Sequence, residues 1–218
     1  RARPGGADEH SLLLREATYD TFNTSISLWS VSRKKFSRLS NGLDPHSWQL
    51  ATETDTARSC TIAQNFKGKE KLLKLPGGAF QVDNLKVARA DLNDYGAVKA
   101  RGNGLMRYTA HYGPGSPLLS APATRDLNIP RRESRVIQDI ADQLDLRSLS
   151  PPEVLRKIKA FFATEFTYSL KPISKQRNLT LMQNFLTRSR SGHCEYFATA
   201  TVLLLRQAGI PARYARGY

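Results

Sequence analysis

Residues 191–198 read Ser-Gly-His-Cys-Glu-Tyr-Phe-Ala: a small, flexible pair leads into Cys194, and the chain then runs apolar to Ala208. Phe197, Ala200, Thr201, Leu204, Leu205 and Ala208 recur at three- and four-residue spacing, which predicts a helix with one broad buried face. Gly209 is placed to cap its C-terminus, and Pro211 prevents it from resuming. Cys194 therefore falls in the first turn, where backbone N–H groups lack intrahelical acceptors and the helix dipole is positive. A thiol in that position leans towards the thiolate, the nucleophilic form. The same N–H groups can donate to an oxyanion when the thiolate attacks a carbonyl. The opposing reading is structural, because a lone cysteine beside an apolar helix is commonly a small buried residue.

Acyl chemistry on a thiol also needs a base and a group that orients the base. The histidines are His10, His46, His111 and His193. His193 adjoins the cysteine, but neighbours at a helix start point apart, so it is better suited to tuning the thiol or lining an entrance than to acting as base. The other three lie in the N-terminal half. Tyr168 sits on the strand expected ahead of the cysteine helix; its hydroxyl is a candidate oxyanion or pocket donor, or the ring is a core aromatic with its hydroxyl at the surface. Glu195 complements the helix dipole as a cap or ion-pair partner. Cys60, in the alternating run Ser59-Cys60-Thr61-Ile62-Ala63, reads as core, and a disulfide to Cys194 is not expected. Asp55, Asp91 and Asp94 lack calcium-loop spacing, and Gly102-x-Gly104 lacks the third glycine and the helix of a nucleotide fingerprint. No metal and no cofactor is implied.

The elements that must position these groups divide the chain in two. From Ser11 to Tyr112 the pattern is one of short strands, at 12–19, 26–31, 48–50, 58–66, 71–75, 79–82, 87–90, 95–99 and 106–112. A polar connection covers 20–24, and Pro76-Gly77-Gly78 reads as a tight turn. Proline and glycine then dominate from Gly113 to Pro130, as in a stiff, exposed linker. Beyond it come a helix over 133–146 and a second opened by Ser150-Pro151-Pro152-Glu153, with Ser as cap, Pro at the first position and Glu at the third. That second helix should bury Val154, Leu155, Ile158, Phe161 and Phe162. A short strand at 166–170, a polar, basic loop over 171–180 and a short helix at 181–186 lead back to Ser191. The predicted fold class is α+β: an all-β module, sandwich or barrel-like, over 1–112, a linker over 113–130, and a helical, cysteine-bearing region over 131–218.

Composition bounds the function. At 218 residues and 40% apolar, the chain is long enough for one large or two modest packed domains. It has no apolar run long enough to cross a membrane and opens Arg-Ala-Arg-Pro-Gly-Gly, as expected of a processed or excised chain. The 33 basic and 19 acidic residues give a net charge of +14. The basic residues are spread out and accompany no nucleic-acid motif, so nucleic acid is not the expected partner; an anionic membrane face is. Between Arg147 and Arg190 nine Lys/Arg stand against two Glu, which makes the approach to Cys194 basic.

The Gly-His-Cys-Glu-Tyr-Phe-Ala run, the helix after it and the Gly209-Ile210-Pro211-Ala212-Arg213 exit followed by Gly217-Tyr218 resemble the transglutaminase-like superfamily, densely from Phe166 to Tyr218. The chain looks closest to a bacterial branch of that family, whose domain lies on the outer side of the inner membrane. The opening Leu-Arg-Glu-Ala-Thr-Tyr-Asp is similar to the module preceding the catalytic domain in that branch. The resemblance implies that residues 131–218 are the first half of a papain-like domain, with Cys194 the nucleophile. It also implies a periplasmic location, and a protein or peptide substrate whose carboxamide forms a thioester resolved by an amine or water. The family's catalytic His and Asp come on strands after the Gly-Tyr, so the expectation is of a fragment whose last strand, 212–218, lacks sheet neighbours and which has no turnover by itself. The rival reading is a non-catalytic binding module with a degenerate papain-like half.

Overall fold

The computed structural model describes residues 2–4, 12–32, 35–41, 44–115, 118–173 and 176–218. His10 and the Ser116-Pro117 pair of the expected linker lie outside the described residues. Helices and strands are mixed, as an α+β chain requires. In chain order the strands are β1 (Ala2–Pro4), β2 (Leu14–Tyr19), β3 (Thr21–Asn23), β4 (Leu28–Ser30), β5 (Phe36–Arg38), β6 (Trp48–Gln49) and β7 (Arg58–Asn65). They continue with β8 (Glu70–Leu72), β9 (Leu75–Pro76), β10 (Ala79–Asp83), β11 (Ala90–Asn93), β12 (Val98–Arg101) and β13 (Leu105–Tyr112). Then come α1 (Ser134–Gln143), α2 (Pro151–Glu165), β14 (Thr167–Tyr168), α3 (Leu181–Asn184), β15 (Ser191–Gly192), α4 (Cys194–Gln207) and β16 (Tyr214–Gly217).

These elements form two compact units, and neither is continuous in sequence. One holds residues 1–18, 33–121 and 215–218; the other holds 19–32 and 122–214.

The first unit is built on antiparallel sheets. One has the order β1-β7-β13-β10-β6 and another β5-β11-β12-β8. β7 and β13 pair over eight residues, from Leu105 opposite Asn65 to Tyr112 opposite Arg58. Along β7, Cys60, Ile62 and Gln64 are buried while Ser59, Thr61 and Asn65 are exposed, the alternation a sheet with one core face requires. Trp48, Phe66, Val82, Leu85 and Tyr108 fill the core with no exposed surface. Two strands lie three residues later than periodicity suggests. The Asn93 side chain accepts N–H bonds from Tyr95 and Ala97, and Gly96 takes φ +70°, so residues 94–97 are a turn and the fully packed Tyr95 belongs to it. The expected exposed linker is anchored too: Leu118 is buried in this core, and Asp126 is buried in the second unit.

The last strand is not without neighbours. β16 lies in a three-stranded sheet of order β16-β2-β9, and Leu14 and Tyr218 exchange N–H···O bonds of 2.8 and 2.7 Å. The expectation of an unpaired 212–218 strand fails because the chain's own β2 supplies the edge. Gly217 permits this closeness, since a Cβ there would sit 1.9 Å from the Leu14 carbonyl oxygen.

The second unit packs α1, α2, α3 and α4 around Ile137, Leu146, Val154, Phe185, Ala200, Leu203 and Leu204. Ser150 starts α2, with its N–H donating to Glu153 Oε2 at 2.9 Å. Leu155, expected on the buried face, is half exposed. The segment 20–24, expected as a polar connection, instead contributes β3, which pairs with β4 in a hairpin belonging to this unit. Phe22 enters the helical core and Trp29 Nε1 donates to Thr199 Oγ1 on α4 at 2.9 Å, so packing onto the helix overrides the polar character of the segment.

Candidate functional site

Cys194 stands at the first position of α4, preceded by His193 in extended conformation (φ −97°, ψ 178°). Tyr196 N–H donates back to the His193 carbonyl at 3.0 Å, which closes the first turn. His193 makes no side-chain cap bond, so its side chain does not occupy the Cys194 and Glu195 N–H groups beside the thiol. Cys194 is exposed. Cys60, by contrast, is buried in β7, and desolvation pushes its thiol up to about 11, out of reach of thiolate chemistry at neutral pH.

The approach to the thiol is fixed by a short parallel pair. Thr167 lies opposite Ser191, and Tyr168 opposite Gly192. Thr167 N–H donates to Arg190 O at 2.9 Å and Ser169 N–H to Gly192 O at 2.8 Å. Tyr168 therefore occupies the strand beside the lead-in to Cys194, two residues before the thiol in register. It is 60% exposed, which removes the alternative of a core aromatic. Leu170, on the same run, is 77% exposed.

Beneath the thiol, Gly192 is buried and wedged between two rings. A Cβ there would lie 3.0 Å from Tyr196 Cδ2 and 3.2 Å from the Phe185 ring. Phe185 and Tyr196 stack at 5.4 Å, and His193 meets Tyr196 edge-on at 4.7 Å. That contact fixes His193 against Tyr196, and it is the one histidine among the described residues of this unit. Burial and then the Glu195 charge raise the Tyr196 phenol, so it stays protonated at neutral pH. Phe185 opens a π-helical turn (Phe185–Ser189) that ends at Arg190 in the left-handed region (φ 42°), and this turn delivers β15. Arg190 pairs with Glu165 at the end of α2.

The far end of α4 is held as firmly. Gly209 N–H bonds to Arg206 O and Ile210 N–H to Leu205 O, with Gly209 at φ +80°, a Schellman close. Arg206, which helical periodicity leaves off the apolar face, is 4% exposed. Its guanidinium donates to the carbonyls of Asp20 (2.8 Å), Asn128 (2.7 Å) and Ala212 (2.9 and 2.7 Å) and lies over the Trp29 ring. Arg213 grips Asp126 with two bonds of 2.9 and 2.7 Å. Sequence reading took Gly192 for a flexible lead-in rather than a buried wedge, and it missed Arg206, for which the available signal was an arginine inside an otherwise apolar stretch. Among the described residues no cluster of three His, Cys, Asp or Glu side chains is placed to hold a metal, and no helix is long and apolar enough to cross a membrane.

The model of the transglutaminase-like superfamily matches residues 138–218. A protein-glutamine gamma-glutamyltransferase of Pseudomonas aeruginosa is 34% identical over 95 residues, 43% of this chain and 14% of that protein. The uncharacterized protein YebA of Bacillus subtilis is 41% identical over 54 residues, 24% of this chain and 7% of its own length. This chain thus spans a small part of the curated relatives it matches. The crystal structure of the periplasmic domain of TgpA from Pseudomonas aeruginosa superposes with a TM-score of 0.69 at 22% identity, covering all of this chain and 73% of that one. The ethylmercury-bound form of the same domain gives 0.66 at 21% identity, covering 97% and 72%. At that identity the likeness is one of fold.

Proposed function

We propose that this chain carries the nucleophile of a transglutaminase-like thiol acyltransferase or hydrolase, with Cys194 as the attacking group. The observation that carries the reading is the exposed thiol at the uncapped first turn of α4, within the region that the superfamily's model matches. Cys194 Sγ attacks the carbonyl carbon of a glutamine carboxamide, and the oxygen takes the negative charge. The N–H groups at the start of α4 and the Tyr168 hydroxyl are the donors offered to that oxyanion. The C–N bond then breaks, ammonia leaves with a proton from a general acid, and a thioester remains. A lysine or other amine attacks the thioester, the C–S bond breaks and the thiolate returns; water in the same role gives the carboxylate. His193, held against Tyr196, does not fill the role of base, so the 218 residues alone are expected not to turn over. Donor proteins or peptides, and an amine or water as acceptor, are the partners of this reading.

The test is ammonia release from a glutamine peptide, with methylamine as acceptor, by the native protein and its Cys194→Ala variant. Loss of about 10⁴-fold or more in kcat is expected, with C60A unaffected. Retained turnover in C194A would sink the nucleophile assignment; no turnover by the native protein would leave a binding module. The neighbours' periplasmic origin supports an extracytoplasmic location, beside an anionic membrane face that suits a charge of +14. A membrane-impermeant maleimide should label Cys194 in intact spheroplasts; labelling only after lysis would place the chain inside.

A further inference from the structure

Next to the strand pair that leads to Cys194 lies a cavity of about 360 Å³, between the residues following β14 and the π-helical turn. Its lining includes Ser169, Lys171, Ile173, Arg188, Ser189 and Ser191. Two cations face it, and among its described lining residues there is no carboxylate. Neither Lys171 nor Arg188 forms an ion pair with a described residue, whereas the neighbouring Arg190 is already committed to Glu165. Ser169 Oγ accepts the Lys171 N–H at 3.2 Å, which leaves its own O–H to donate. Ile173 packs against the helical core and gives the cavity an apolar wall. Two cations with no ion-pair partner among the described residues, a hydroxyl able to donate and a short apolar wall match a carboxylate on a short aliphatic stem. Ser191, three residues before the thiol, also lines the cavity, so the cavity adjoins the lead-in to Cys194.

We propose that this cavity is an anchoring subsite for a carboxylate of the acyl donor, so that preferred donors carry a negative charge close to the reactive carboxamide. The proposal rests on the acyltransferase reading, because it specifies that reading's substrate. The carboxylate has two sources, an acidic side chain flanking the glutamine or the free C-terminus of a short peptide. Lys171 and Arg188 are positioning residues, remote from the reacting bond.

The test uses the 218-residue chain and needs no turnover. Cys194 alkylation rates are measured with anionic iodoacetate and neutral iodoacetamide at low ionic strength, with buried Cys60 as internal reference. In K171E/R188E the iodoacetate-to-iodoacetamide ratio should fall by about threefold to fivefold, and Arg188→Gln alone should lower it less. In parallel, three labelled glutamine peptides are titrated: one with a flanking Glu and an amidated end, one neutral with a free C-terminus, and one neutral and amidated. Tighter binding of the first identifies the side chain as the source, and of the second the terminus; either preference should vanish in K171E/R188E. Equal binding of all three, with an alkylation ratio unmoved by the variants, overturns the subsite while leaving the nucleophile intact. Failure of iodoacetamide to label Cys194 faster than Cys60 removes the acyltransferase reading itself.

Discussion

Two buried carboxyls in the helical unit answer pH with opposite sign. Burial works to raise the Asp126 carboxyl, but the Arg213 guanidinium, the Ala123 N–H and the charge of Arg206 outweigh it, and the net direction is down. A depressed carboxyl contributes stability that is present above its unfolded value, about 3.9, and is lost as pH falls through the folded one. Glu133 runs the other way. It is fully buried, its Oε2 accepts the Thr180 hydroxyl at 3.0 Å, its Oε1 has no partner among the described residues, and desolvation raises it. A raised carboxyl holds its proton in the folded state, so its contribution is largest below the unfolded value, about 4.3, and declines as pH rises through the folded one. Urea unfolding of the chain between pH 3 and 7 should therefore show Asp126→Asn losing part of the acid sensitivity. E133Q should gain stability towards neutral pH. Identical pH profiles for both variants and the parent would contradict these assignments. Neither effect was legible in the sequence, where Asp126 sits in an apparent linker and Glu133 looks like an ordinary helix-start acid. Their properties come from Arg213 and Thr180, 87 and 47 residues away.

At the level of elements, β15 and α4 act as one part, because Gly192 lets the strand run under Tyr196 and Phe185 before the helix begins. Substituting Gly192→Ala forces one ring or the strand to move. It should cost about 1–3 kcal/mol and slow Cys194 alkylation several-fold, while α4 itself persists by circular dichroism. Unchanged labelling would mean that the strand does not set the thiol's position. The helix was the most readable element: its cysteine start, its glycine close and the Ser150 opening of α2 are local chemistry, written within a few residues. The strands were readable where alternation is strong, as along β7, and misplaced at β11 and β12, where an Asn93 side chain rather than the periodicity decides the turn. The strand at 26–31 covers β4, but β3 and the hairpin's place against α4 were beyond local reading, since only α4, some 170 residues on, gives Trp29 Nε1 its acceptor. Arg206 was missed for the same reason, its acceptors being carbonyls scattered over residues 20, 128 and 212.

The whole molecule is divided differently from its sequence. The helical unit borrows residues 19–32 from the middle of the strand-rich half, and the strand-rich unit takes back 215–218 at the end. Asp20 and Ser32 close the borrowed loop at its base, where the Asp20 carboxylate accepts the Ser32 N–H at 2.8 Å and the Ser32 hydroxyl. A fragment of residues 122–218 therefore lacks Phe22, the Trp29 bond to Thr199 and the Asp20 carbonyl that Arg206 holds. It is expected to show no cooperative thermal transition, whereas the 218-residue chain melts cooperatively. A sharp transition in the fragment would show the hairpin to be dispensable.

That loan from early to late sequence also sets an order of events during synthesis. Phe22 and Trp29 leave the ribosome long before α4 exists. At about 5–20 residues per second, roughly 10–30 s pass before Thr199 emerges to meet Trp29. Throughout that interval these two large apolar side chains have only each other, at 5.2 Å, in place of the helical core. The hairpin is thus the segment a holdase has most reason to shield, and the helix bearing Cys194 is completed only when that wait ends.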